Sequence, residues 1–423
     1  MYRTLLSIIT LFLCLVISNA QVKEIKKGPN YGPLPIIDYS VDKGFQFGGK
    51  VDMYHYGDGS LYPDYLYSAS LSASAYTKGD RAFKALFDSK HLIPGGRYSM
   101  GILYSSNAIY PFYGFNGAAA PYDPSLSGIL DDGTAFYKMH RSLFRILTSY
   151  QRQLGDTPWG WAAGMTWVDA RVGTADNWKV KNDYSLYGEY VAKGIIPAEE
   201  ADGGKHLEMK AGISYDSRDN ENSPSRGTSF ELFTYGSCGF VKGTSSYLRL
   251  AVKLKQFVPL YGEDLILAYH LAYQGTIAGH TPFYLLPIIQ SINLKQYNAE
   301  GLGGTRSLRR VMRNRVQGDG YAWTNVELRW TFARFRLANQ NWRLLTNPFV
   351  DAGAVVQPYR LDAQKAVGKG LLYSGEKETI HGSVGIGLHL LMNRNINVGI
   401  EYAHCFRDQD GQSGFVIGSG FLF

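Results

Sequence analysis

Hydrophobic and polar residues alternate with a period of two along much of this chain. Between residues 321 and 332, the even positions hold Ala, Thr, Val, Leu, Trp and Phe, whereas the odd positions hold Tyr, Trp, Asn, Glu, Arg and Thr. In a β-strand, successive side chains point to opposite faces of the sheet. The pattern therefore predicts strands that have one apolar face and one polar face.

Sixteen segments are predicted as strands on this basis: 35–41, 44–56, 65–77, 82–91, 96–106, 136–153, 159–173, 206–216, 227–236, 245–257, 264–276, 319–335, 342–357, 379–393, 394–406 and 414–423. Several of them have ten or more residues, the length that a tilted strand needs to cross a bilayer. Strands of soluble proteins are usually shorter. Because bacterial membrane barrels have an even number of antiparallel strands, we predict an all-β fold, a 16-stranded antiparallel transmembrane β-barrel.

The connections between these segments differ in length. Gly79-Asp80 and Gly155-Asp156 have the composition of short turns, whereas four connections are long: 107–135, 174–205, 277–318 and 358–378. Membrane barrels have short periplasmic turns and longer extracellular loops. We therefore expect the long connections to be extracellular.

The first twenty residues have the features of a signal peptide. Arg3 provides a positive charge, Leu5–Ile17 is almost wholly apolar, and Ser18-Asn19-Ala20 is a cleavage site of small residues. The predicted organisation is a signal peptide at 1–20, a short periplasmic segment at 21–34 and an outer-membrane barrel at 35–423.

The composition separates a barrel from a soluble secreted β protein. The chain has 31 Tyr, 21 Phe, 7 Trp and 48 Gly but is only 45% hydrophobic, which is typical of strands with a lipid face and a wet face. The last strand places Phe415, Ile417, Phe421 and Phe423 at outward positions, and a terminal aromatic residue is a recognition tag for barrel assembly. Both observations favour the barrel.

Cys238 and Cys405 are interpreted as buried residues or free thiols rather than a disulfide.

Four stretches carry a resemblance to a known family: GGTRSLRR (303–310), YDSRDNENSPSRGTSFEL (215–232), NPFVDAGAV (347–355) and GDGYAWTNVELRW (318–330). In this order, they resemble motifs of the BamA/TamA group of outer-membrane barrels, also called bacterial surface antigens. The chain departs from the motif at Arg310-Val311, where the family has Gly-Phe or Gly-Tyr. It also lacks a segment for POTRA domains, so it resembles the stand-alone form of these barrels.

The resemblance implies that the loop with the GGTRSLRR motif folds back into the barrel lumen. Its motif residues are Gly303, Gly304, Ser307 and Arg309, and the arginine is expected to meet acidic partners, Glu327 and Asp351, on the inner wall. Strand parity agrees independently, because both acids fall on the polar face of their strands. The other four arginines of residues 303–315 are expected to meet luminal acids or to attract lipopolysaccharide phosphates, and nucleic acid is not an expected partner.

The resemblance also implies a weak seam between the first and last strands. Ile37 and Tyr39 belong to the first strand, and Gly418, Gly420 and Phe423 belong to the last. Pro33 and Pro35 cannot donate ladder hydrogen bonds, and glycines weaken strand packing. We interpret the first strand as short and the seam as loose.

The resemblance implies a protein of the Gram-negative outer membrane that assists insertion or translocation of outer-membrane proteins or lipids through this seam. Its expected partners are outer-membrane lipids, lipopolysaccharide, and client or accessory outer-membrane proteins. The alternative is a passive pore or a structural subunit of a larger outer-membrane complex. We expect no cofactor or metal, because the calcium-loop pattern is absent, and no enzyme, because the nine histidines form no motif with a nucleophile.

Overall fold

The computed structural model describes residues 25–40, 44–62, 64–221, 223–239, 245–294, 300–337, 340–393 and 396–423. The predicted signal peptide lies outside these residues. Seventeen strands form one antiparallel sheet. They are β1 Pro29–Ser40, β2 Gly44–His55, β3 Tyr67–Tyr76, β4 Arg81–Ile93, β5 Gly96–Pro111, β6 Lys138–Gln153, β7 Trp159–Thr174, β8 Gly203–Asp216, β9 Gly227–Ser237, β10 Tyr247–Tyr261, β11 Leu265–Gly279, β12 Gly320–Leu337, β13 Gln340–Thr346, β14 Phe349–Gln357, β15 His381–Met392, β16 Ile396–Cys405 and β17 Gly414–Ser419.

Strands β13 and β14 act as one interrupted strand. Both pair with β12 on one side and with β15 on the other, and only Asn347 and Pro348 separate them. Proline cannot donate to a ladder, which accounts for the break at this position. The sheet thus has sixteen strand positions, the number that the alternation predicts.

The connections contain the helical elements. Short α-helices occur at Leu186–Ala192 and Leu361–Ala366, and 3-10 turns occur at Gly117–Ala119, Pro124–Leu126, Ala198–Glu200 and Phe283–Leu285. No helix in the part of the chain that the structure describes is both long and apolar enough to cross a membrane.

The two faces of the sheet differ as the alternation predicts. On β12, Val326, Trp330 and Phe332 are exposed on the outer face, whereas Asn325 and Glu327 are buried on the inner face. The sheet curves around an interior, because inner-face side chains from β6, β8, β12, β14 and β16 all contact the connection between β11 and β12. We call this interior the lumen.

Three boundaries correct the sequence prediction. The first strand begins at Pro29 rather than at residue 35, and all twelve of its residues pair with β2, so the expectation of a short first strand is wrong. The start of the barrel, predicted at residue 35, is therefore now proposed at Pro29. The last strand ends at Ser419 rather than at residue 423.

The Gly79-Asp80 turn differs from the general rule that short turns of a barrel are periplasmic, because it lies at the same end of the sheet as the long connections. Asp80 accepts hydrogen bonds from Asn107 Nδ2 at 2.8 Å and Ala108 N at 3.0 Å. Two hydrogen bonds from the end of β5 therefore stabilise this turn.

Candidate functional site: the luminal loop

The connection 280–319 enters the lumen in two legs, residues 280–294 and residues 300–319, and we call these two described parts the luminal loop. The first leg follows β6 to β9: Lys210 Nζ donates to Ser291 O at 2.7 Å, and Ile292 N donates to Glu231 Oε2 at 3.1 Å. The second leg follows β12, where Asn325 Nδ2 donates to Ser307 O at 2.7 Å. The loop therefore occupies the lumen, in the place that the family resemblance implies.

The motif glycines make a tight turn in the second leg. Gly303 and Gly304 have φ angles of +114° and +82°, a region that L side chains rarely adopt. Ser307 Oγ accepts a hydrogen bond from Gly303 N at 2.9 Å, and Gly304 N donates to Val311 O at 2.7 Å. These bonds close the turn and direct the following residues toward the inner wall.

Arg309 lies at the centre of a buried ion cluster. Its Nε and Nη2 donate to the two carboxylate oxygens of Asp351, each at 2.8 Å, and its backbone N also donates to Asp351 at 3.0 Å. Its Nη1 donates to Glu327 Oε1 at 2.9 Å and to Glu401 Oε1 at 2.8 Å. The guanidinium carbon lies 3.4 Å from the centre of the Phe349 ring. One side chain thus joins the loop to β12, β14 and β16.

Sequence reasoning missed Glu401. It lies on β16 between Ile400 and Tyr402, which are both exposed on the outer face, so strand parity carried the signal that Glu401 points inward. Its carboxylate also accepts from Asn347 Nδ2 at 3.0 Å. The arginine therefore has three acidic partners rather than two.

The remaining charges of this cluster come from β12. Arg329 Nε donates to Glu327 Oε2 at 2.8 Å. Burial makes such a cluster costly to desolvate, so its net contribution to stability is small, whereas removal of one charged partner costs about 3–5 kcal/mol. The cluster therefore holds the loop in one position more than it raises the total stability.

Two further arginines of the loop hold the connection 406–413, between β16 and β17. Arg310 Nε donates to Gln412 O at 2.9 Å, and Arg315 Nε lies 3.3 Å from Asp410 Oδ1. Met312 N also donates to Asp410 O at 2.7 Å. These contacts explain the arginines that exceed the family motif: three of the five, counting Arg309, bind parts of the last two hairpins.

Asp410 belongs to a second buried cluster that the sequence did not indicate. Its Oδ2 lies 2.7 Å from His381 Nδ1, and His381 Nε2 lies 3.2 Å from Glu378 Oε1. Arg315 extends the cluster, because its Nη1 and Nη2 donate to Gly117 O at 3.2 Å and Ala120 O at 3.0 Å. Four connections that are distant in the chain therefore meet at the outer end of the luminal loop.

The remaining two loop arginines differ in their surroundings. Arg313 Nη1 lies 3.3 Å from Glu300 Oε1, whereas the Arg306 side chain is exposed. The expectation that these arginines meet acidic residues thus fits Arg313 and Arg315 but not Arg306. Attraction of lipopolysaccharide phosphates remains a proposal for Arg306 alone.

Aromatic side chains cover the mouth of the barrel at its long-loop end. Phe112, Phe115, Tyr190, Phe283 and Tyr359 are buried together, and the rings of Phe115 and Tyr359 lie 4.6 Å apart. We call this group the aromatic cap. Its residues come from four different connections, so the cap closes only when those connections meet.

Glu200 joins three of the connections beneath the cap. Its Oε2 accepts hydrogen bonds from Phe283 N at 2.8 Å and Tyr359 OH at 3.1 Å, and its Oε1 pairs with His280 Nε2. Burial raises the pKa of Tyr359, and the negative charge of Glu200 raises it further. The phenol therefore remains a neutral donor to Glu200.

The chain after the last strand turns into the lumen. Gly420 has a φ of +87°, and Phe421 and Phe423 follow it into contact with inner-face residues. Arg329 Nη2 donates to Phe423 O at 3.1 Å, and its guanidinium carbon lies 3.8 Å from the Phe421 ring centre. The Phe423 ring lies 5.5 Å from that of His270.

This arrangement corrects part of the seam prediction. Phe415 and Ile417 are exposed on the outer face as predicted, but Phe421 and Phe423 point inward and lie beyond the strand. Ile37 is exposed on β1, Tyr39 pairs with Phe45, and Gly418 pairs with Gly399. Of the proposed seam residues, Gly420 and Phe423 therefore belong to a luminal tail.

One histidine contacts a serine at the outer end of the last hairpin. His404 Nδ1 lies 2.6 Å from Ser413 Oγ, and both side chains are exposed. A catalytic pair needs a third group that orients the histidine through its other nitrogen, and within the described ranges no hydrogen bond reaches His404 Nε2. The contact closes the hairpin beside the Arg310 bonds.

Comparison with known proteins places this geometry in a family. Residues 68–423 match the Omp85 superfamily domain. The chain belongs to the Omp85 superfamily. The Omp85 barrel is thus an all-β outer-membrane protein of the Gram-negative type, as the resemblance to the BamA/TamA group implied. No curated protein sequence matches the chain.

Solved Omp85 structures share the fold at low sequence identity. BamA from Haemophilus ducreyi lacking POTRA domains 1–3 is 14% identical, with a TM-score of 0.57, over 93% of this chain and 70% of that chain. CdiB from Escherichia coli is 8% identical, with a TM-score of 0.55, over 94% of this chain and 62% of that chain. Barrels of this superfamily are transporters and assembly factors rather than enzymes.

Proposed function

We propose that this Omp85 barrel assists insertion or translocation of outer-membrane proteins or lipids through the seam between β1 and β17. The observation that carries the proposal is the shortness of the last strand. Only six residue pairs join β17 to β16, whereas twelve join β1 to β2. Fewer ladder bonds hold β17 in the sheet than hold β1, so β17 can move away from β1 at a lower cost than a fully paired strand could.

The first strand is not short, but its prolines still support a weak seam. Pro33 and Pro35 are two positions apart, so the N–H groups that they lack belong to a single edge of β1. Prolines in sheets occur where the missing donor faces away from the ladder. Because β1 pairs with β2 without interruption, this edge is expected to face β17.

The occupied lumen favours this function over a passive pore. The luminal loop fills the interior, and the aromatic cap covers the long-loop mouth. A pore needs a continuous aqueous path, which these elements obstruct. Translocation along the seam needs no such path, because the client contacts the strand edges and the lipid.

The experiment that tests the proposal is a reversible cross-link at the seam. Cys238 and Cys405 are replaced by serine, one cysteine is placed at Ile37, and a second is placed in turn at Phe415, Val416, Ile417 and Gly418. Proteoliposomes with the refolded protein are then given an unfolded outer-membrane barrel as client. Oxidation should stop client insertion for the pair that forms a disulfide, and dithiothreitol should restore it.

A matched cross-link away from the seam is the control. Val51 on β2 and Leu71 on β3 are register partners that are both exposed on the outer face. A disulfide between cysteines at these two positions should leave insertion unchanged. Insertion that continues through a fully cross-linked seam would contradict the proposal, and large, stable conductance steps in planar bilayers under the same conditions would support the passive pore.

A further inference from the structure

Three arginines converge on the inner face of the β12–β13 hairpin, at the short-turn end of the sheet. Arg334 on β12 is the direct register partner of Arg343 on β13, and Arg336 lies two residues from Arg334 on the same face. Like charges directly opposite each other destabilise a strand pair. An anionic group that binds beside Arg334 and Arg336 would offset part of this charge.

The three side chains line an open cavity of about 540 Å³, together with Asn341, Asn393 and Phe335, which lies between Arg334 and Arg336 along the strand. Arg334 Nε donates to Asp264 Oδ1 at 2.9 Å, but both partners are almost half exposed. Such a surface pair contributes at most about 1 kcal/mol. Arg336 is exposed and has no ion pair within the residues that the structure describes. Arg334 and Arg336 therefore present positive charge to the cavity that Asp264 neutralises only in part.

The two faces of the hairpin distinguish a polypeptide ligand from a lipid ligand. Phe335 and Trp342 stack on the outer face, with ring centres 6.3 Å apart and planes within 5°, and Leu337 is exposed beside them. This aromatic face suits the membrane interface. The arginine side chains occupy the opposite face, which borders the aqueous mouth of the lumen, and this position favours a polypeptide over a lipid headgroup.

The spacing of the arginines suits an extended chain with acidic side chains at alternate positions. Residues i and i+2 of a strand are about 6.6–6.8 Å apart along the strand axis, so carboxylates at every second position match Arg334 and Arg336. Arginine binds a carboxylate through two parallel hydrogen bonds. This geometry favours carboxylates of an extended segment over one isolated small anion.

We propose that the arginine cavity of the β12–β13 hairpin is a docking site for an extended acidic segment of a periplasmic polypeptide. Such a segment would hold an accessory protein or a client beside the lumen. The role in delivery rests on the proposed assembly function, whereas the binding itself does not. Arg336 contributes an exposed guanidinium, and Arg334 exchanges its bond with Asp264 for the ligand carboxylate.

The test measures binding of a labelled peptide of alternating Glu and Thr, ten residues long, to the refolded barrel in zwitterionic nanodiscs. Fluorescence anisotropy is recorded at low and high salt, because exposed ion pairs weaken as salt rises. R336Q should weaken binding up to about fivefold, which is the loss of one exposed ion pair worth at most about 1 kcal/mol. The triple variant R334Q/R336Q/R343Q should abolish it.

The matched control is R226Q in the β8–β9 turn, where Arg226 is exposed at the same end of the barrel. It removes the same charge and should not change binding. Equal losses in R226Q and R336Q, or full binding by the triple variant, would overturn the proposal. A second measurement uses nanodiscs that contain phosphatidylglycerol. Loss of phosphatidylglycerol retention in the triple variant, with peptide binding unchanged, would also overturn the proposal, because the cavity would then hold a lipid headgroup.

The client-insertion assay separates this inference from the proposed function. Peptide binding that depends on the three arginines, with no client insertion by the wild type, would reject the assembly function and leave the docking site standing. Client insertion without arginine-dependent peptide binding would reject the docking site alone.

Discussion

Arg309 and Asp351 form a two-bonded ion pair inside the lumen, with both N–O distances at 2.8 Å and both side chains almost fully buried. They lie 42 residues apart in the chain, and their pairing sets where the luminal loop meets the wall. Because Glu327 and Glu401 share the same guanidinium, one side chain holds the second leg of the loop to three strands.

Replacement of this anchor should release the luminal loop. R309A leaves three carboxylates without the guanidinium, and we expect a loss of about 3–5 kcal/mol of unfolding free energy. Heat-modifiable migration and protease cleavage within residues 303–315 measure the effect. R306A removes an exposed arginine of the same loop and should change neither. Unchanged protease access in R309A would show that Arg309 does not hold the loop.

The two motif glycines should differ in their tolerance of alanine. Both have positive φ angles, but a Cβ at Gly303 would lie 2.1 Å from Met312 O, whereas the nearest atom to a Cβ at Gly304 is 3.5 Å away. G304A should cost about 1–2 kcal/mol from backbone strain, and G303A should cost clearly more because backbone atoms must move. Thermal unfolding of the two variants compares them, and equal losses would contradict the tight turn.

The His280–Glu200 pair should make the aromatic cap sensitive to pH. The hydrogen bond to Glu200 raises the pKa of His280 above its ordinary 6.5, and the charges of Glu200 and Asp319 act in the same direction, against burial and Arg360. Because the pKa of His280 is raised in the folded state, the contribution of this pair to the stability of the cap is fully present below about pH 6.5. It is lost as the pH rises through the raised value.

The size of this effect is limited to below about 1 kcal/mol, because the imidazole is 44% exposed. The ratio of chymotrypsin cleavage rates for wild type and H280Q, taken at each pH from 6 to 8.5, removes the pH dependence of the protease itself. We expect the wild type to be better protected at the acidic end and the two proteins to converge at the alkaline end. A ratio that is constant across this range would exclude the pair as a stabilising contact.

The luminal tail should stabilise the end of the last strand. F423A removes a ring that packs against His270 and Phe257, and we expect a loss of about 1–3 kcal/mol, below the cost for a fully buried ring. L422A is the control at the neighbouring position. A larger loss in L422A than in F423A, measured by urea unfolding in detergent, would contradict the inward placement of the terminal ring.

Much of the fold and part of the site were accessible from the sequence alone. The period of two gave the strand positions and the inward direction of Glu327 and Asp351, because alternation is a local property of each strand. The family motif named Arg309 and the two glycines. The same parity argument extends to Glu401, so that partner was within reach of the sequence.

Only the tertiary structure decided which distant residues meet. Arg309 and Glu401 are 92 residues apart, and Arg315 reaches Gly117 across 198 residues. No local pattern encodes these contacts, because they depend on where the luminal loop crosses a curved sheet. The inward turn of Phe423 has the same cause: alternation predicted an outward ring, but the positive φ at Gly420 ends the strand and the rings bury themselves against Arg329. The sequence by itself thus determined the strands and their faces, and the curvature of the sheet around the luminal loop determined the partners.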